Sequence, residues 1–419
     1  MVEATASTGK LSFEDWRQAG ILHTWTAQSV WAGPIITKAA GSWLYGPNGE
    51  SYIDFGSQMF NVNLGHSHPR LLETFRQTVE EVQFISSLFG SPQREEAAQA
   101  LREVMPPSLT HVLFTTGGAT STETALKMAW QYTGRRKVVS RRISFHGATY
   151  GAMAISGDPR RLLCEPQVDW TVRVPTPGLE GTAYLKDVVP RDYLSETLEI
   201  LDSEDPSSIA AFVMEPICSA PGPVLFSPEN YLEDIREYCT KHGILLVFDE
   251  VLTGFGRTGA MFGFDHWNVI PDILCLGKGA TSGYFPLGAV AVDAKVSEYF
   301  WDHTLNHGMT YSGHPLGCCL VKECIKILNE EGILERWNHL ESIFQDALYG
   351  MAKSHPSCSH PRGKGAYWAF EFVNPQTGDP LVKRPLRYPS EPHKPGPMAL
   401  VAGKALERGL YLYTRMSSA

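Results

Sequence analysis

The chain has 419 residues, a length that suits two or three domains or one large domain with an appendage. Hydrophobic residues make up 43% and charged residues 19%, a globular composition that excludes a disordered tail, a coiled coil or a fibre. The formal net charge is −9, and an acidic chain without a basic run is a poor binder of a polyphosphate backbone, so the charge disfavours a nucleic-acid partner.

The N-terminal residues and the cysteines indicate the compartment. The opening MVEATASTGK has no apolar core of signal-peptide length and is not arginine-rich. No apolar stretch reaches the roughly 18 residues that a membrane helix needs. The eight cysteines form no C-x-x-C pair, and the adjacent Cys318 and Cys319 suit neither a zinc site nor a routine disulfide. We expect reduced core thiols in a cytoplasmic protein without a metal site.

The first 80 residues are predicted to form small elements. Residues 43–45 and 51–55 flank the turn Gly46-Pro47-Asn48-Gly49, a pattern typical of a β-hairpin. A helix is predicted to begin at His68, and its apolar face would carry Leu71, Leu72, Phe75 and Val79.

Between about residues 110 and 293, short and nearly continuous apolar runs alternate with helical segments. The runs are HVLFTT, KVVS, IAAFVMEP, ILLVFDE, DILCLGK and LGAVAV. Strands of this kind between helices predict a parallel sheet that is buried on both faces. In such a sheet the ligand lies beyond the carboxyl ends of the strands. Several runs end in polar or charged residues, which makes those ends the candidate site.

After about residue 315 the chain is predicted to be helical, with a strand YWAFEFV, a Pro/Lys/Arg-rich loop, a further helix and a strand LYLYT. The pattern therefore predicts an α/β fold in which a large domain has a mostly parallel sheet covered by helices. A smaller α+β domain would combine both ends of the chain. We expect residues 1–80 and 321–419 to form the smaller domain and residues 81–320 the large, ligand-binding domain.

Two strand ends carry residues suited to pyridoxal phosphate chemistry. Asp249 ends the run ILLVFDE, and Lys278, between two glycines, follows DILCLGK. Each residue taken alone is more often structural, as a salt-bridge partner or a solvated lysine. A lysine in a partly desolvated cleft can become an amine nucleophile. An acid at the same edge would keep a pyridine nitrogen protonated, so that the ring accepts electrons.

A phosphate site is predicted where HVLFTT runs into Gly117-Gly118. The segment from Thr120 to Glu123 reads as a capping box at the start of a helix, and the glycines would let backbone N–H groups face an anion. A plain strand–turn–helix is the alternative reading.

Two nucleotide-binding motifs are rejected. Residues 254–259, GFGRTG, match G-x-G-x-x-G after a strand, but the following AMFGFDHWNVIP reads as a loop where a dinucleotide site needs a helix. Gly277-Lys278 resembles the end of a P-loop, but Gly279 stands where Ser or Thr is needed.

Read together, these segments resemble the class III (ω-type) aminotransferases of the fold-type-I pyridoxal-phosphate family. The resemblance covers roughly residues 20–415. It rests on NVNLGHSHP, FTTGGATSTETALKMA, SFHGATYGAMAISG, AFVMEP, LLVFDEVLTGFGRTG, LCLGKGATSGYFPLGAV and HGMTYSGHPLGCC.

The resemblance implies a role for each matching position. Lys278 would be the Schiff-base lysine and proton shuttle, and Asp249 the partner of the pyridine nitrogen. The other cofactor-binding positions would be Gly118, Ala119, Phe145, His146, Glu215 and Val251, with Thr310 reaching the phosphate from the neighbouring subunit of a homodimer. The substrate pocket would include Trp25, Met59, Phe60 and Arg415, of which Arg415 lies near the carboxylate-binding arginine of relatives.

The sequence departs from the family pattern at two of these positions. Relatives usually have a serine where this chain has Ala119, so a hydroxyl donor to the phosphate is missing unless Thr120 replaces it. Relatives often have tyrosine where this chain has Phe145.

The implied reaction is transamination in two halves, from an amine or ω-amino acid to a 2-oxo acid such as pyruvate, with ping-pong kinetics. The alternatives are a racemase, mutase or decarboxylase of the same fold, or an inert dimer partner that has lost part of its phosphate loop.

Overall fold

The computed structural model describes residues 20–25, 27–28, 33–163, 168–179, 182–183, 192–218, 224–381 and 396–414. Its strands are β1 (Lys38–Ala40), β2 (Trp43–Tyr45), β3 (Ser51–Asp54), β4 (Leu109–Thr115), β5 (Lys137–Arg141), β6 (Thr171–Val174), β7 (Ile209–Met214), β8 (Ile217–Cys218), β9 (Leu225–Phe226), β10 (Leu245–Asp249), β11 (Ile273–Leu276), β12 (Gly288–Asp293), β13 (Cys358–Lys364), β14 (Tyr367–Phe372) and β15 (Leu410–Tyr411).

The longer helices are α1 (Pro69–Glu81), α2 (Pro92–Val104), α3 (Gly118–Thr133), α4 (Tyr150–Ile155), α5 (Tyr193–Ser203), α6 (Tyr231–His242), α7 (Ala294–Asp302), α8 (Pro315–Glu330), α9 (Ile333–Ser354) and α10 (Pro397–Leu406). Residues 57–60 form a short kinked helical turn. Further single turns of 3₁₀ helix lie at Pro159–Leu163, Pro206–Ser208, Gly263–His266 and Lys278–Thr281.

The central sheet of the described chain has seven strands in the order β4-β12-β11-β10-β7-β5-β6. The strands from β11 to β6 run parallel, whereas β12 runs antiparallel to both of its neighbours. Every residue of β7, β10 and β11 is buried, because helices cover both faces of the sheet. The prediction of a mostly parallel sheet is therefore confirmed, with β12 as its exception.

A smaller sheet joins the two ends of the chain. Its order is β1-β2-β3-β15, and β15 pairs with β3 in parallel. The antiparallel pair of β2 and β3 is the predicted hairpin, with Leu44 opposite Tyr52. The predicted small α+β domain built from both chain ends is thus confirmed, while its exact boundaries stay a prediction.

Helix α1 and strand β13 differ from what the sequence predicts. Leu72 was placed on the buried face of α1, but its side chain is 50% exposed, and Thr78 is buried instead. Strand β13, which pairs antiparallel with β14, was not predicted, because its sequence CSHPRGK is polar and contains proline.

Among the described residues, no helix is both long enough and apolar enough to cross a membrane. The seven cysteines in the described part of the chain are all buried free thiols.

Candidate active site

The two residues that the sequence singled out lie at the carboxyl ends of adjacent parallel strands. Asp249 is the last residue of β10, and its Cα is paired with that of Cys275 in β11. Lys278 follows β11 after the extended Gly277. The edge of the sheet therefore brings a carboxylate and an amine to one side of a buried core, as the apolar runs predicted.

Asp249 is 5% exposed, and hydrogen bonds hold both of its carboxylate oxygens. Oδ2 lies 2.8 Å from Nδ1 of His146, and Oδ1 accepts from the backbone N–H of Val251 at 3.1 Å. Burial alone would lower the pKa of His146, but the hydrogen bond and charge of Asp249, with the charge of Glu215, outweigh it and raise that pKa. The imidazole thus holds its proton more readily than an ordinary histidine, and its hydrogen bond fixes the carboxylate in place.

Lys278 is half-buried. Its backbone has a φ of 41°, a left-handed conformation that is strained for a side chain of this kind. Burial lowers the pKa of Lys278 against the opposing charges of Asp249 and Glu215, and the charge of Arg257 lowers it further. The amine is therefore closer to its neutral, nucleophilic form than an ordinary lysine.

The predicted phosphate helix is present, but its capping box is wrong. Helix α3 begins at Gly118, two residues before Thr120, and no side chain caps its first N–H groups. The Thr120 hydroxyl donates to the carbonyl of Gly117 at 2.7 Å. Glu123 lies further into the helix and accepts from the N–H groups of Gly151 and Ala152 at 2.7 and 3.1 Å. The glycines allow this early start, which leaves the first N–H groups free for an anion.

Small residues let the strand ends and the phosphate helix meet. A methyl group added to Gly118 would overlap the Val251 side chain. One added to Gly277 would lie 3.2 Å from the nitrogen of Gly118 and 3.3 Å from Cγ1 of Val251. At the next position of the helix, Ala119 fills the space where Gly147 has no side chain. The structure thus brings Val251, Gly118 and Ala119 together at the edge that carries Lys278.

An aromatic and cationic group adjoins His146. The ring of Phe145 lies edge-on to that of Trp25, with centroids 6.2 Å apart. The guanidinium of Arg160 lies 4.1 Å from the Trp25 centroid and 4.9 Å from that of Phe145. Asp158 holds it through an ion pair of 2.6 Å. Sequence reasoning missed Arg160, since Trp25 is distant in the chain and no spacing signals the contact.

The other predicted pocket residues are Phe60, Met59 and Arg415. Phe60 packs edge-on against Tyr367 and Tyr413, with centroids 5.9 and 4.6 Å apart. Met59 is 46% exposed. Arg415 lies outside the described residues.

Thr310 lies in an exposed turn at the end of a loop that is attached to helix α3. The Thr124 hydroxyl already donates to a backbone carbonyl, so Nε2 of His307 donates to it at 2.8 Å. Nδ1 of His307 then accepts from the Lys127 ammonium at 3.3 Å. Burial and the charge of Lys127 lower the pKa of His307, which agrees with this neutral tautomer. The loop before Thr310 is therefore fixed to the phosphate helix of its own chain.

The neighbouring acid, Glu250, has a different role from Asp249. Its carboxylate accepts from the Thr253 hydroxyl at 2.5 Å and from the N–H groups of Gly263 and Phe264 at 2.9 and 2.7 Å. Burial raises its pKa to about 7, although these three donors oppose that rise. It holds the turn that follows β10, a contact that no sequence pattern indicates.

Pyridoxal phosphate fits these residues on observations of the structure itself. The uncapped start of α3 offers N–H groups to a phosphate, and Gly118 and Gly277 let the Val251 side chain pack directly against that helix start. Lys278 offers an amine, and Asp249 a carboxylate held in a fixed orientation. Nε2 of His146 is buried and has no hydrogen-bond partner among the described residues.

Comparison with known proteins agrees with this geometry. A family model for class-III aminotransferases matches residues 27–415. The chain is 34% identical to an omega-aminotransferase of Caulobacter vibrioides, over 76% of each protein. It is 31% identical to an omega-amino acid–pyruvate aminotransferase of Pseudomonas putida, over 83% of this chain and 81% of that protein.

The solved structures include a taurine:2-oxoglutarate aminotransferase from Bifidobacterium kashiwanohense in complex with PLP and glutamate. It matches with a TM-score of 0.89 at 32% identity, over 97% of this chain and 92% of that one. An S-selective transaminase from Bacillus megaterium matches with a TM-score of 0.88 at 26% identity, over 98% and 92%. These matches confirm the predicted fold type.

Proposed function

The chain belongs to the class III aminotransferases, which use pyridoxal phosphate, and we propose that it transfers the amino group of an amine or ω-amino acid to a 2-oxo acid such as pyruvate. The observation that carries the proposal is the meeting of Lys278 and Asp249 at adjacent strand ends. An omega-aminotransferase and an omega-amino acid–pyruvate aminotransferase among the relatives support the substrate classes.

The cofactor, when bound, supplies an aldehyde that captures amines and a ring that accepts electrons. In our proposal, Lys278 is its covalent attachment point, and Asp249 faces the ring nitrogen with a charge that His146 orients. The N–H groups of Gly118 and Ala119 face the phosphate, and Val251 and Phe145 flank the ring. Glu215 adds negative charge near the ring, since its charge acts on both His146 and Lys278.

Lys278 also moves the proton in this proposal. When it is not bonded to the cofactor, its Nζ would take a proton from the substrate carbon as general base and, as general acid, deliver it to the cofactor carbon. The lowered pKa of Lys278 suits this role, because a base acts best when it is neutral at the working pH. The first product would leave before the 2-oxo acid binds, which gives ping-pong kinetics, and Lys278 would serve both halves of the reaction.

The substrate side of the proposal rests on aromatic side chains. Trp25, Met59 and Phe60 would form the wall of the pocket, with Arg415 near its carboxylate end. The exposed side chains of Trp25 and Met59 suit an amine with an apolar body. In a homodimer, Thr310 would reach the partner's phosphate site, and its exposed position on a fixed loop supports that placement.

A panel of amines and ω-amino acids, each tested with pyruvate and with 2-oxoglutarate, tests the proposal. We expect alanine to form from pyruvate, parallel double-reciprocal plots, and borohydride to fix the cofactor to Lys278. Mass spectrometry of the reduced protein identifies the modified lysine. Racemisation or loss of CO₂ from the amine without a new amine product would overturn the proposal, as would fixation at another lysine.

A further inference from the structure

The GFGRTG segment at residues 254–259, which the sequence analysis rejected as a nucleotide-binding motif, is buried from residue 254 to residue 258. It forms a tight turn in which Phe255 and Gly256 have φ of 55° and 84°. Its arginine, Arg257, is 7% exposed. Burying a guanidinium costs free energy unless the charge is paired or hydrogen-bonded, so the contacts of Arg257 need an explanation.

Arg257 has polar but uncharged partners. Its Nη2 donates to the Ser57 hydroxyl at 3.0 Å and to the side-chain oxygen of Asn63. The Trp337 ring centroid lies 5.8 Å from the guanidinium carbon, and Nε is buried without a partner among the described residues. No carboxylate of the described chain forms an ion pair with it. Asp54 and Tyr367 act on this positive charge only from beyond ion-pair distance, so no carboxylate pairs with it directly.

Asn63 joins this cation to the lysine turn. Its side-chain nitrogen donates to the carbonyl of Phe255 at 3.0 Å. A methyl group added to Gly279, the residue after Lys278, would overlap that same amide. The backbone that carries Lys278 therefore packs directly on the side chain that holds Arg257.

We propose that Arg257 is a positioning residue that holds Lys278 in its neutral, reactive form by placing, behind the lysine turn, a positive charge that no described carboxylate pairs with directly. The inference rests on the proposed role of Lys278. Two acids face Lys278, Asp249 from β10 and Glu215 after β7, and both favour the ammonium form. Burial lowers the pKa of Lys278 against these acids, and the positive charge of Arg257 lowers it further.

The test measures the protonation of Lys278 directly. The full-length protein, freed of cofactor, is labelled with a trace of acetic anhydride between about pH 6 and pH 10, and mass spectrometry follows acetylation of Lys278. The midpoint of the profile reports the protonation of the amine, whereas the limiting rate at high pH reports its accessibility. The measurement needs no substrate, so its result can be interpreted even if the protein does not catalyse the proposed transamination.

In R257Q we expect the midpoint to rise by roughly one pH unit, which slows labelling about tenfold below the midpoint. R257K, which keeps the charge, should restore the wild-type midpoint. Arg135 supplies a matched control, because its guanidinium is also held by uncharged groups, the carbonyls of Ile209, His242 and Gly243 at the opposite ends of the strands. R135Q should leave the Lys278 midpoint where it is.

A second pair of variants keeps the test decisive where R257Q does not fold. S57D places a carboxylate on the guanidinium and should raise the Lys278 midpoint, whereas S57N, of the same size but uncharged, should not. An unchanged midpoint in folded R257Q and in S57D would overturn the proposal. An equal shift in R135Q or S57N would also overturn it, since general loosening would then be the cause.

Discussion

The candidate site has a strand-end side, around Asp249 and Lys278, and an aromatic side, around Trp25 and Met59. The two sides are held in place in different ways. On the strand-end side, Asp249 is 5% exposed and Glu250 fully buried, and each is held by several hydrogen bonds to the surrounding backbone and side chains. On the aromatic side, Trp25 is 51% and Met59 46% exposed, and they lie on loops or short turns.

The difference separates two tasks. Groups that must be placed to within a fraction of an ångström sit on rigid strands of the buried sheet, where packing and hydrogen bonds fix their rotamers. Groups that choose among substrates sit on loops, which tolerate change. We therefore expect changes on the strand-end side to abolish chemistry and changes on the aromatic side to alter substrate preference, and the following experiments test that division.

The largest effect is expected for Lys278→Ala. Loss of the attachment point and of the proton-transferring amine should lower kcat by about 10³-fold or more for every substrate. Steady-state rates with pyruvate as acceptor measure the change. The exposed Lys241 provides a control, because Lys241→Ala removes an equal charge from the surface of α6 and should not alter the rate. A Lys278→Ala protein with near-wild-type turnover would exclude the proposed mechanism.

The next effect separates two adjacent acids. Asp249→Asn removes the charge that faces the ring and should lower kcat by about 10²-fold. It should also lower the pKa of His146, because Asp249 is what raises it against burial. Glu250→Gln, one residue further on, should cost less than about tenfold in kcat, since Glu250 contacts backbone N–H groups away from the ring. Equal losses of kcat in Asp249→Asn and Glu250→Gln would show that this edge of the sheet affects activity only by maintaining the structure.

Glu250 should instead be visible in the pH dependence of stability. Burial raises its pKa to about 7 from an ordinary value near 4.5. Between these values the folded state binds more protons than the unfolded state, so the free energy of unfolding falls as pH rises, by about 3 kcal/mol in all. Urea unfolding at several pH values and fixed protein concentration measures this, and Glu250→Gln should flatten that part of the profile. An unchanged slope in the variant would assign it to another group.

The division between the strand-end side and the aromatic side also explains which features could be predicted from the sequence. An apolar run that ends in a charged residue marks a strand end, so Asp249 and Lys278 could be placed at one edge from their sequence alone. The direction of β12 could not, because an apolar run reads alike for parallel and antiparallel strands. The true start of α3 was missed because Thr120 and Glu123 fit a capping box, while the glycines before them permit an earlier start.

Contacts between distant segments were beyond the sequence reading. Arg160 meets Trp25 across more than a hundred residues, and Arg257 meets Ser57 across two hundred. Such pairs depend on how the chain ends fold back over the sheet, which no local spacing encodes. The aromatic side consists largely of contacts of this kind, and for that reason it was the less predictable half.

On the aromatic side, Trp25→Ala should raise the KM for aromatic amines by about tenfold and leave kcat within a few-fold. The tenfold change in KM corresponds to about 1–2 kcal/mol, which is the free energy of one edge-on aromatic contact plus one cation–π contact. Initial rates with one aromatic and one short aliphatic amine make the comparison, and the aliphatic amine should be little affected. Trp301→Ala, on an exposed face of α7, serves as the control. A uniform fall in kcat would place Trp25 among the chemical groups instead.

The smallest expected effect lies at the phosphate helix, where Ala119→Ser should tighten cofactor binding. The Thr120 hydroxyl cannot replace the donor that Ala119 lacks, because it already donates to the carbonyl of Gly117. A new hydroxyl at position 119 should therefore add one hydrogen bond, worth roughly threefold to tenfold in Kd. Fluorescence titration of cofactor-free protein with pyridoxal phosphate measures the gain. Thr120→Val should leave Kd nearly unchanged and lower the thermal stability instead, since it removes a bond within the helix start. If Thr120→Val weakened cofactor binding as strongly as Ala119→Ser improved it, the Thr120 hydroxyl would be the phosphate donor and its contact with Gly117 only the resting arrangement.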